Sequence, residues 1–250
     1  EFIHKLGSPP HFWRLSGTMV PWFGWIALVL ILVGTVGGLW IAPPDYQQLD
    51  AFRIIYFHVP SAWLSQFGYV LMALAAAVGL VWRIKLAHAI AAACAPIGAS
   101  FTVVALATGS IWGKPMWGTW WVWDARLTSV LVLFFLYLGH IALTSAFDEP
   151  ERAARPAAIL ALIGAVNLPI IKFSVDWWNT LHQPASVTRF DAPAVHVDIL
   201  WPLLIVGLGF LFAFAAIVLV RMRTAILERR ARALMLARAA EARAPEAVPA

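Results

Sequence analysis

The chain has 250 residues, of which 62% are hydrophobic and only 12% charged, with a mean hydropathy of +0.79. A soluble domain is nearer half apolar and about a quarter charged, so this composition excludes one and indicates a polytopic membrane domain. The single cysteine, Cys94, excludes a disulfide within the chain and a thiolate metal cluster. No phosphate-binding loop of the Gly-x-x-x-x-Gly-Lys type occurs, so the chain is expected not to be an enzyme in its own right.

Residues 1–22 lack a short apolar core followed by small residues and are not read as a cleaved signal peptide. Six apolar runs follow, at about 20–41, 59–82, 89–111, 127–147, 157–175 and 200–220. Each is long enough to cross a bilayer core, which takes roughly 20 helical residues. They lack the alternation of barrel strands, and helices satisfy their own backbone groups in lipid. The predicted fold is therefore an all-α integral membrane protein with six transmembrane helices. Asn167 and Pro169 predict a kink in the fifth, because proline has no N–H to give the ladder.

Basic residues set the predicted orientation. With the N-terminus inside, Lys5, Arg14, Arg83, Lys85, Arg152, Arg155 and the tail arginines are internal, 13 of the 18 lysines and arginines. Arg53, Lys114, Arg126, Lys172 and Arg189 are external. Both termini are then cytoplasmic, and the tryptophan-rich loop lies on the periplasmic face. The expected division is a cytoplasmic segment 1–19, a six-helix membrane domain 20–221 and a basic cytoplasmic tail 222–250. The tail is expected to extend the last helix, fray at Pro245 and be drawn to anionic membrane lipid.

Five of the 14 tryptophans fall within residues 112–123: Trp112, Trp117, Trp120, Trp121 and Trp123. Such a group is either an aromatic belt at the membrane surface or a platform for a flat apolar ligand. If helical, Trp117, Trp120, Trp121 and Asp124 share one face. Gly113 and Gly118 are expected to permit tight turns, and Asp124 to cap the fourth helix. His58, in Phe57-His58-Val59-Pro60, sits at a helix mouth where Pro60 suits the first turn. His182 follows the fifth helix, close behind Trp177 and Trp178. On the predicted topology both histidines and the tryptophans share one face. Imidazole is a common axial ligand of haem iron, so the pair reads either as two such ligands or as two interfacial hydrogen-bonding residues. His196 is a weaker candidate on the same face. Arg126 and Arg53 are the best placed cations for a carboxylate such as a haem propionate, their alternative being interfacial anchors. Lys172 and Asp176, one turn apart, are expected to pair, or Lys172 to snorkel.

The stretch Trp117-Gly-Thr-Trp-Trp-Val-Trp-Asp-Ala-Arg-Leu-Thr128 resembles the WWD signature of haem-handling membrane proteins, and its ending resembles the CcmC family of bacterial cytochrome c maturation. The segments around His58 and around His182 (Trp-Trp-Asn-Thr-Leu-His-Gln-Pro) are similar to the same family, over about residues 15–221. The resemblance implies a protein of the bacterial inner membrane that binds haem b (iron protoporphyrin IX) at the periplasmic face. His58 and His182 would be the axial ligands and the Trp112–Asp124 loop the platform. It implies presentation of that haem to the carrier CcmE, with CcmD and the ABC transporter subunits CcmA and CcmB as partners, and no nucleic acid. A haem-exporting permease subunit and an electron-transfer membrane cytochrome are the competing readings.

Overall fold

A computed structural model describes residues 8–147, 149–189 and 191–241. Lys5, Arg243 and the expected fraying point at Pro245 lie outside the described residues. Helix α1, Pro9–Val36, opens on two prolines, whose missing N–H groups cost nothing in a first turn, and closes in a π-helical turn, Gly37–Ile41. A 3₁₀ turn, Asp50–Ile54, leads into α2, Ile55–Trp82. Then come α3 (Lys85–Trp117), α4 (Ala125–Ser145), α5 (Pro150–Gly164), α6 (Asn167–Trp177) and α7 (Val197–Glu241). Among the described residues the only β pairing is one isolated bridge, Asp45 to Leu49.

Six spans long and apolar enough to cross a membrane result, because α5 and α6 together make one of them, Glu151–Trp177. The expected kink is the α5–α6 break. Pro169 cannot donate to the Ala165 carbonyl, which instead accepts from the Leu168 N–H at 3.1 Å, a tighter i→i+3 closure. Asn167 Nδ2 donates to the Ser129 carbonyl at 2.8 Å and ties the break to α4. One expectation fails here. Pro60 is not in the first turn of α2, because the preceding 3₁₀ turn lets the helix start at Ile55. It is His58 that occupies the first turn.

The bundle packs α2 on α3 and α1 on α7. Small residues make the α2–α3 approach close: Ala75 and Ala76 share a core with Ala91, Ala93, Ala95 and Ala99. Close backbone approach is how helices gain dispersion energy in lipid, where burial of apolar surface drives little. Tyr137 of α4 fills the middle. Its hydroxyl donates to the Ser65 carbonyl at 2.7 Å, and its ring lies against Gly98 and edge-on to Tyr69 at 5.1 Å. Apolar side chains such as Trp22, Trp25, Leu32 and Phe135 point outward, the arrangement a lipid solvent asks for.

Helix α7 has 45 residues, about 68 Å at 1.5 Å per residue, against a hydrocarbon core of about 30 Å. It is therefore longer than a hydrocarbon core requires, and the tail does extend the last helix, as expected, as far as Glu241. The emerging helix is held to α1: Arg223 donates to the Trp13 carbonyl at 2.7 Å and to Ser16 Oγ at 3.0 Å, and lies 3.7 Å over the Trp13 ring. A methyl group at Gly98 would overlap the Tyr137 ring. Gly98→Ala is expected to lower stability in detergent by about 1–3 kcal/mol, more than Tyr137→Phe, as read from thermal unfolding of the two variants.

Candidate functional site

Three connecting segments meet at one end of the bundle. Segment 42–54 reaches α3 through Gln48, whose Oε1 accepts from Trp112 Nε1 at 2.8 Å. Segment 118–124 reaches segment 178–196 through Asp124, whose Oδ2 accepts from the Leu181 N–H at 3.3 Å. The opposite end carries Lys85, paired with Glu151 at 3.2 Å, and the Arg223–Trp13 contact. The common face argued from topology is thus a set of direct contacts.

His58 projects from the first turn of α2 onto the outer turns of α3. Trp112 stands edge-on to its ring at 5.6 Å, and Phe52 stands edge-on to Trp112 at the same separation. His58 Nδ1 lies 3.1 Å from Thr108 Oγ1. Gly109 leaves the space the ring fills, since a Cβ there would sit 2.9 Å from His58 Cε1.

His182 comes from a segment without regular structure. Its Nδ1 lies 2.7 Å from the Gln183 carbonyl oxygen. A carbonyl only accepts, so Nδ1 carries the proton and Nε2 keeps a free lone pair. Trp117 lies beside the ring at 6.4 Å between centroids. The half-buried imidazole is pushed below the usual histidine range, first by burial and then by the Arg126 guanidinium. The Gln183 carbonyl and the Asp124 carboxylate oppose that shift without overcoming it. At neutral pH the ring is therefore neutral and can act as a donor ligand.

Asp124 caps α4, as expected: Oδ1 accepts from the Leu127 N–H at 2.8 Å. Through Oδ2 it also holds the His182 segment. Arg126 donates from Nε to Ser174 Oγ at 2.7 Å and from Nη2 to the Lys172 carbonyl at 3.3 Å, which leaves Nη1 out of both bonds. Arg53 is committed elsewhere. Its Nη1 donates to the Gly38 and Ala42 carbonyls at 2.7 and 3.0 Å and its Nε to Asp50 at 2.8 Å, closing the end of α1.

The tryptophans do not form one helical slab. Helix α3 runs on to Trp117, so Trp112 and Trp117 are helical, and Gly118 in the left-handed region (φ 75°) stops it. Residues 119–124 are non-helical, so Trp120, Trp121 and Asp124 cannot continue a 3.6-residue face. Gly113 makes no turn. It lies inside α3 and makes room for the Trp117 ring. Trp121 and Trp123 stand edge-on at 5.5 Å over an open apolar groove of about 480 Å³, lined also by Val103, Leu106, Leu131 and Phe134. Trp120 points outward, 56% exposed.

Lys172 forms no ion pair with Asp176 among the described residues. Its Nζ donates to the Thr188 carbonyl at 2.9 Å and holds down the His182 segment. His196 is exposed and pairs with Asp198 at 3.3 Å. Gln48, Thr108, Gly109 and Ser174 were not legible as site residues. Each is common in helices and loops, and only the three-dimensional packing brings it to the histidines.

A family model described as "Heme exporter protein C" (CcmC) matches residues 2–237. The chain belongs to the CcmC family. Curated relatives named "Heme exporter protein C" include one from Escherichia coli, 52% identical over 90% of this chain and 91% of the relative. Another, from Bradyrhizobium diazoefficiens, is 51% identical over 94% and 89%. A "Putative cytochrome c biosynthesis ccmC-like mitochondrial protein" of Marchantia polymorpha is 47% identical over 76% and 80%.

The charges around His182 give a test with opposite signs. Arg126→Gln removes a positive charge that disfavours protonation and is expected to raise the His182 pKa. Asp124→Asn removes a negative charge and is expected to lower it. Histidine NMR titration of the ligand-free variants checks both; shifts of one sign in both would contradict this electrostatic arrangement.

Proposed function

We propose that this CcmC-family membrane protein binds one haem b between His58 and His182 and presents it for covalent attachment to the carrier CcmE during c-type cytochrome biogenesis. The observation that carries this reading is that two imidazoles at one end of the bundle, from α2 and from segment 178–196, each stand beside a tryptophan of α3. Among the described residues no group of three or more His, Cys, Asp or Glu side chains is placed to hold a bare metal ion. Two imidazoles suit a metal that brings its own equatorial donors, as haem iron does.

The chain's residues then have separate roles. His182 offers a neutral Nε2. Trp112 and Trp117 wall the two rings, and Trp121 and Trp123 extend an apolar surface toward the groove between α3 and α4. Arg126 Nη1 is the cation for a propionate. Arg53, with its Nη1 and Nε already bonded, serves better as the clasp of the α1 terminus. The positive-inside count supports placing this end at the periplasmic face of the bacterial inner membrane, with both termini cytoplasmic. CcmD, CcmA and CcmB are the proposed partners in the membrane, and haem, not nucleic acid, is the cargo.

The name of the relatives favours a second reading, a haem-exporting permease subunit. That role needs a path through the bundle, and the interior is filled by Tyr69, Met72, Tyr137 and Phe214. An electron-transfer cytochrome more often holds its haems within the spans, whereas His182 lies outside them.

The purified protein is expected to carry haem with a six-coordinate, bis-histidine absorption spectrum. His58→Ala and His182→Ala should each change it, and added imidazole should restore it in part. Unchanged spectra in both variants would remove these residues as ligands. Aromatic stacking on a flat base is worth about 1–3 kcal/mol, and on that scale Trp117→Ala or Trp121→Ala should lower haem per folded protein by about tenfold. Trp22→Ala, on the outward face of α1, should leave it unchanged. If the Trp117 and Trp121 variants lose yield and keep full haem, the tryptophans are an interfacial belt.

A further inference from the structure

The haem reading assigns His58 a role but does not say what makes its ring a ligand. An imidazole can bind metal only through a nitrogen that carries no proton, and the partner of the other nitrogen decides which one that is. For His58 that partner is a side chain of the neighbouring helix.

Thr108 Oγ1 lies 3.1 Å from His58 Nδ1, 2.6 Å from the Val104 carbonyl oxygen and 3.3 Å from the Ala105 carbonyl oxygen. A hydroxyl has one proton. The short contact to Val104 takes it, because a carbonyl can only accept. The hydroxyl then faces His58 with a lone pair, and Nδ1 must donate. The opposite tautomer would need Thr108 to abandon the 2.6 Å bond.

We infer that Thr108 is a positioning residue which holds His58 as the Nδ1–H tautomer with Nε2 free, and that Gly109 provides the space in which this orientation fits. The inference rests on the proposed haem reading for its purpose, and on the geometry above for its substance. Thr108 and Trp112 are four residues apart on one face of α3, so a single helix face orients His58 by a hydrogen bond, an aromatic edge and a missing side chain. His182 reaches the same tautomer by another route, its own neighbour's carbonyl. The two rings thus present like nitrogens, although one is fixed by tertiary packing and the other locally.

The test uses the full chain in detergent, with ¹⁵N-labelled histidine and no haem, His58 being assigned by the signal lost in His58→Gln. Wild type is expected to show His58 as the Nδ1–H tautomer. Thr108→Val, nearly isosteric, should turn this into a mixture, and Thr108→Ser should keep the wild-type pattern. In titrations with haem, Thr108→Val should bind about tenfold more weakly, the lower end of what outer partners of ligating histidines contribute, with Thr108→Ser close to wild type. Gly109→Ala should perturb the low-spin spectrum by pushing on Cε1, a second route if Thr108→Val folds poorly. A wild-type tautomer and affinity in Thr108→Val, or an undisturbed spectrum in Gly109→Ala, would overturn the inference. Should wild type show no His58-dependent haem spectrum, the haem reading fails. The ligand-free tautomer measurement still decides whether Thr108 holds the ring.

Discussion

The site depends on how closely α2 and α3 approach. A two-residue connection joins them, Arg83 and Ile84, with Arg83 in the left-handed region (φ 53°), so the helices must return antiparallel. Alanines and glycines along the contact let the backbones come near. At Gly79 the His88 ring occupies the space of a side chain, and at Gly109, near the other end, the His58 ring does the same. Widening this contact at any level would move Thr108 and Trp112 away from His58, because both stand on the face of α3 that α2 covers. The stability of the bundle and the geometry of the first histidine are one packing problem.

Ending α3 is the second constraint. Gly118 donates its N–H to the Lys114 carbonyl at 3.1 Å, and Lys114 Nζ donates to the Gly118 carbonyl at 3.0 Å. That closure turns the chain, so tryptophans adjacent in sequence serve different places. Trp112 faces His58, Trp117 faces His182, and Trp121 and Trp123 cover the groove toward α4. A continuous helix would have put Trp117, Trp120 and Trp121 on one stripe.

Much of this was legible in the sequence. Apolar run length is a strong signal, so all six spans were found, and the Asn167–Pro169 break followed from a missing donor. Run ends were less legible. Residues 9–19 are too mixed in polarity to register as a span, yet α1 begins there because two prolines start it and Arg223 of α7 secures its first turns. His58, His182 and the tryptophans stood out because those residue types are rare and clustered. Thr108 did not, since a threonine inside an apolar helix ordinarily bonds its own backbone, and this one does so as well. Its second bond, to a ring 50 positions away, has no local signature. The Lys172–Asp176 pairing failed for a related reason. Helical spacing permits it, but the Thr188 carbonyl, distant in sequence, is the partner the lysine meets.

The two histidines are held by unlike means. The His58 backbone lies within a helix, and its ring is bounded by side chains of a second helix. His182 has no helix beneath it. Its segment is held by Asp124 to the Leu181 N–H, by Lys172 to the Thr188 carbonyl, and by the Thr180 hydroxyl, which donates to the His182 carbonyl at 3.2 Å. Few of these bonds are backbone ladder bonds, and the segment has little buried apolar surface, the features of a structure that opens locally before the rest. Asp124 is therefore more than a cap. One carboxylate oxygen starts α4 and the other restrains the loop that carries His182, so its loss frays a helix end and loosens one imidazole while leaving the other in place. The geometry of the two histidines thus depends on a rigid member, built into the α2–α3 contact, and a tethered one whose position is set by Asp124 and Lys172.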